Sequence, residues 1–108
     1  MYPKSPKDSR EIIWTRHAVV KMHHYGLSES CLKRLLKSSK RREKGVVEGT
    51  IALMQPAGTK RPTEIWLMYQ PLGEAKKIIT AWRYPGVSPK KEVPIPEEII
   101  QELKEEYY

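Results

Sequence analysis

Apolar residues recur along this chain with two periods, and the switches between them divide it into elements. Glu11-Ile12-Ile13-Trp14-Thr15 is a β-branched and aromatic run that predicts a short strand, with Thr15 placed to cap a helix. From Arg16 to Tyr25 the period becomes helical: Ala18, Met22 and Tyr25 make one apolar stripe, and Gly26 supplies the left-handed residue that closes a helix. Ser28 caps a second helix, Leu27 and Leu32 are spaced to staple its entry, and Cys31, Leu32, Leu35 and Leu36 form its inner stripe. The two helices make an αα-hairpin, followed by a polar basic loop over 38–45.

Three strands are expected at 46–54, 64–70 and 76–84, joined through Pro56-Ala57-Gly58 and Pro71-Leu72-Gly73 as an antiparallel meander. Pro85-Gly86 ends the last, and a proline-spaced linker leads to a helix begun by Pro96 whose Ile99, Ile100, Leu103 and Tyr107 share a face. Glu97 and Glu98 occupy its first turn, where the helix dipole favours anions. The expected class is α+β, ordered β-α-α-β-β-β-α, with the helical hairpin packed on a small, mainly antiparallel sheet. Residues 1–10 read as a flexible basic arm, 11–86 as one domain, and 87–108 as a linker and acidic helix packed on that domain.

Composition narrows the function. At 108 residues the chain has room for one modest core, and its mean hydropathy of −0.64 argues against a membrane span. A lone Cys31 cannot form an internal disulfide, and no apolar leader opens the chain, so a cytoplasmic location is expected. The net charge is +7, unevenly spread: residues 1–44 carry +8, 45–91 carry +4 and 92–108 carry −5. A basic body suits a polyanion, and the acidic tail is placed to cover part of the same surface.

The element order resembles the RelE-like bacterial toxin fold. Trp14-Thr15-Arg16-His17-Ala18, then Tyr25-Gly26-Leu27-Ser28 and Ile78-Ile79-Thr80-Ala81, are similar to the DUF4258 group of small proteins over about residues 11–84. The resemblance implies a ribonuclease-toxin architecture, with RNA cleavage as the recurring activity and an antitoxin protein or the ribosome as partners. It departs from the toxins in the Trp- and Tyr-rich segment 64–85 and in the acidic C-terminal helix.

RNA cleavage without a metal needs a base, an acid and a cation on the phosphate. His17, Lys21 and His24 fall within about 60° on the first helix, and His17 and Lys21 are about 6 Å apart along its axis, close enough to share one phosphate. His17 and His24, about 10.5 Å apart, are poorly spaced to share a zinc ion, so neither metal nor other cofactor is expected. Later strands of RelE-like toxins supply phosphate-binding and acid–base groups, which by position points to Arg83, with Thr80 and Tyr84. Thr80 and Arg83 can line one site only if the strand twists or bulges before Pro85. His17, Lys21 and Arg83 are thus the catalytic candidates. His24, Tyr84 and two basic loops, Lys40, Arg41, Arg42 and Lys44 with Lys60 and Arg61, are the RNA-binding ones.

No phosphate-binding glycine loop, nucleophile elbow or paired-carboxylate signature occurs, which sets aside NTPase, α/β-hydrolase and glycosidase chemistry. The expected function is an RNA-binding, toxin-type endoribonuclease, monomeric or weakly dimeric. A non-catalytic nucleic-acid-binding module and a protein-interaction domain built on the acidic helix stand as alternatives.

Overall fold

The computed structural model describes residues 6–90 and 92–107, the Tyr107 side chain excepted. The element order is β1 (Ile12–Trp14), α1 (Arg16–Tyr25), α2 (Glu29–Lys37), β2 (Arg41–Lys44), β3 (Ile51–Pro56), β4 (Thr63–Leu72), β5 (Ala75–Pro85) and α3 (Glu97–Tyr107). The strands form one sheet in the order β1-β5-β4-β3-β2, antiparallel except for the parallel pair β1 and β5. This is an α+β domain with a five-stranded mixed sheet.

Local chemistry explains the helix ends. The Thr15 hydroxyl accepts from the Ala18 N–H at 3.1 Å and donates to the Ile78 carbonyl at 2.7 Å, capping α1 while tying it to β5. Gly26 closes α1 at φ 65°, a left-handed conformation in which a side chain is strained, and Leu27 N–H bonds back to the Met22 carbonyl. Ser28 caps α2 through the Cys31 N–H.

Side chains alternate between two buried layers. Leu53, Ile65, Leu67, Ile78 and Ala81 pack with Ala18 and Met22 of α1 and Leu32 and Leu35 of α2. Ala52, Met54, Trp66, Met68, Ile79 and Trp82 pack with Ile99 and Leu103 of α3. Trp66 and Trp82 lie parallel with ring centres 5.8 Å apart. The helical hairpin therefore serves one layer and the C-terminal helix the other.

Three expectations are corrected. The expected loop over 38–45 contains a strand: β2 pairs with β3 from Arg41↔Met54 to Lys44↔Ile51. Arg41 and Glu43 are half-buried, while Arg42 and Lys44 face water, so the alternation is real but written entirely in charged residues. The strand expected at 46–54 begins only at Ile51, because a turn closes β2 onto β3, with Gly45 N–H on the Thr50 carbonyl at 2.9 Å and Thr50 N–H on Val47 at 3.1 Å. Pro71 lies inside β4 rather than in the hairpin turn, which is made at Gly73-Glu74.

Of the expected N-terminal arm, residues 1–5 lie outside the described residues, while Asp8 accepts from the Trp14 N–H at 2.8 Å and Ser9 accepts from the Ile12 N–H at 3.1 Å. The expected place of Tyr107 on the apolar face of α3 also falls outside what is described. No helix among the described residues is long and apolar enough to cross a membrane.

Candidate functional site

Beyond Trp14, where β1 stops, α1 continues along β5 and brings His17 and Lys21 to the margin of the α3 layer. His17 Nε2 and Thr80 Oγ1 share a 3.0 Å hydrogen bond, and the imidazole tautomer decides which atom donates. Lys21 Nζ meets Glu102 Oε1 at 2.6 Å, and the other Glu102 oxygen lies 3.9 Å from His17 Nδ1. His17 is 8% exposed and Lys21 7%, so the pair expected to share a phosphate shares a helix-borne carboxylate instead. Burial pushes the His17 imidazole below its ordinary 6.5, Glu102 and Glu106 oppose that shift, and the Lys21 charge adds to it. A neutral imidazole, an ammonium and a hydroxyl are thus gathered under α3.

Thr80 and Arg83 do not line one site. The sheet is irregular where Met68 pairs with Thr80 and Tyr69 with Ile78, which leaves Ile79 as an extra residue. That bulge precedes both Thr80 and Arg83, so their opposite facing is kept. Arg83 Nε donates to the Tyr25 carbonyl at 2.7 Å and Nη2 to the Gly26 carbonyl at 3.4 Å, satisfying acceptors at the end of α1. His24 is exposed, edge-on to Tyr25 with ring centres 4.7 Å apart. Tyr84 is half-buried at the edge of the α3 layer.

A second constellation lies toward β2. Glu64, 4% exposed, accepts from Trp66 Nε1 at 3.0 Å, from the Ser88 hydroxyl at 2.6 Å and from the Ser88 N–H at 3.2 Å. Burial would raise its carboxyl, but the bonds from Ser88 and Trp66 and the charge of Arg41 together hold it below the ordinary 4.5. Arg41 donates to Ser88 Oγ at 2.7 Å, to Glu43 and to the Glu92 carbonyl, with its guanidinium 5.0 Å from the Trp66 ring centre. Arg41 is therefore an internal tie between β2 and the 86–95 segment rather than part of a free basic loop.

Arg41, Glu64 and Ser88 line an open, mostly apolar cavity of about 350 Å³. Its walls include Met54, Pro56, Pro62 and Val87, and Lys40 and Lys90 stand exposed among its lining. Thr59 and Pro62 of the β3–β4 loop also line it, with exposed Lys60 and Arg61 between them in the chain. Arg42 and Lys44 face water along the neighbouring edge strand. Sequence reading found these cations except Lys90, and missed Glu64, Ser88 and Glu102. A carboxylate two positions before Trp66 in an otherwise apolar strand was the available signal for Glu64.

Among the described residues no three His, Cys, Asp or Glu side chains converge as a metal site requires. Comparison with protein-family models, with curated proteins and with solved structures gives no match.

Proposed function

We propose that this protein binds single-stranded RNA through the cationic surface formed by the β2 edge and the β3–β4 loop. The observation that carries this reading is the gathering of exposed Lys40, Arg42, Lys44, Lys60, Arg61 and Lys90 on segments that border one apolar cavity, while five of the six acidic residues over 92–108 sit on α3. Such cations hold a polyphosphate backbone with affinity that falls with salt and with little preference for sequence. Replacing Arg42, Lys60 and Arg61 together by Glu should lower affinity for a single-stranded oligoribonucleotide by at least about a hundredfold and flatten its salt dependence, roughly 0.7 units of slope per lost contact. Unchanged fluorescence anisotropy titrations would contradict the reading.

A second reading, a RelE-like or DUF4258-like endoribonuclease, is favoured by the His17–Thr80–Lys21 cluster. A neutral imidazole with a carboxylate near Nδ1 has the form a general base needs, and Lys21 adjoins it to offset phosphate charge. The element order, the expected β-α-α-β-β-β-α with the strand β2 added, is compatible with this reading. In this reading α3 must move off the cluster for RNA to enter, and an antitoxin is one partner able to regulate that movement. Incubation of a mixed RNA pool in EDTA should show cleavage by the wild type and none by His17→Ala; equal cleavage by the two removes His17 from the chemistry. Arg83, committed to the end of α1, acts in either reading by positioning that helix.

A further inference from the structure

The cavity between β2, the β3–β4 loop and residues 86–90 joins three properties. Its walls are mostly apolar, its lining holds an ionised carboxylate and a guanidinium joined through one hydroxyl, and it includes two exposed lysines. An apolar ligand alone would leave Glu64 and Arg41 facing a surface that bonds to neither. A small inorganic anion would leave the walls wet. The fitting ligand is flat and apolar in body, bears a donor and an acceptor side by side on one edge, and carries negative charge at the other end.

A nucleotide has that form, and the hydrogen-bonding inventory has room for it. An ionised carboxylate offers about four acceptor sites. Trp66 and the two Ser88 donors use three, two of them on Oε1, which leaves one on Oε2. Arg41 has five N–H donors. Its contacts to Glu43, Ser88 and the Glu92 carbonyl occupy four, leaving one on Nη1. The Watson–Crick edge of every base places an acceptor beside a donor. Apolar walls suit the base faces, as in other single-strand binders.

We infer that this cavity receives one nucleobase of a single-stranded RNA, its edge against Glu64 and Arg41 and its adjoining phosphate between Lys40 and Lys90. The inference rests on the RNA-binding reading above and adds a seat for one base to a surface otherwise blind to sequence. The low carboxyl pKa of Glu64 supports it, since the acceptor stays ionised through the neutral range.

The test is an NMR titration of the full chain with a single-stranded oligoribonucleotide, with each of the four nucleoside monophosphates, and with inorganic phosphate. The expected result is that the oligoribonucleotide and at least one monophosphate shift the Trp66 indole N–H and the Gly58, Gly86 and Ser88 amides, while phosphate leaves the Trp66 indole unmoved. Glu64→Gln should weaken monophosphate binding by at least about tenfold, the weight of one hydrogen bond to a charged group. Shifts by the oligoribonucleotide confined to Arg42, Lys44, Lys60 and Arg61 overturn the base seat but leave RNA binding intact. A monophosphate that enters while the oligoribonucleotide does not also overturns it, in favour of a free-nucleotide site. No shift with any probe overturns both readings. The wild-type titration decides whether or not the variant folds.

Discussion

Glu64 and His17 are both buried titratable groups, and both weaken the fold in acid, by different routes. The folded protein holds the Glu64 carboxyl below 4.5, so its contribution is complete above that pH and is lost as pH falls toward the lowered value. His17 is held below 6.5, so between 6.5 and its folded value the unfolded chain binds more protons and stability falls as pH falls. Urea unfolding across pH 7 to 3 should therefore show two stages of loss. His17→Gln should remove the upper stage and Glu64→Gln the lower; a wild type whose stability does not change between pH 7 and 5 contradicts the His17 assignment. At this scale the sequence identified His17 and Lys21 as neighbours because helical spacing is a short-range rule. It could not identify Glu102 and Thr80 as their partners, since those contacts span 81 and 63 residues of chain.

Elements were legible where caps and periodicity agreed. Thr15, Gly26 and Ser28 bound α1 and α2 because each makes the backbone bond that its residue type favours. β2 was hidden because its inward side chains are Arg41 and Glu43, which reach the interior by bonding to each other, to Ser88 and to the Glu92 carbonyl. α3 was foreseen as an element, and the sheet layer that it covers became visible only in the fold. Ile99 is fully buried against the layer containing Trp66 and Trp82. Ile99→Ala should cost about 2 to 5 kcal/mol in urea unfolding, the range for truncating a buried aliphatic side chain. A loss below about 0.5 kcal/mol, ordinary for a surface position, would mean that α3 is not docked as described.

Across the whole molecule, charge is sorted by element: the acidic helix α3 neutralises Lys21, and exposed cations gather on β2 and the β3–β4 loop. The sequence carried this imbalance in its +8, +4 and −5 segments, yet not the cavity, whose lining is drawn from three separate stretches between Lys40 and Lys90 that only the sheet brings together. Binding of RNA to the cationic flank is the central claim, and its most direct measurement is the affinity of the full chain for a single-stranded oligoribonucleotide as salt is raised from about 50 to 200 mM. The account predicts that log K falls linearly with log salt by about 0.7 per phosphate engaged, summing to several units. Absence of binding at the low-salt end, or an affinity indifferent to salt, would contradict it.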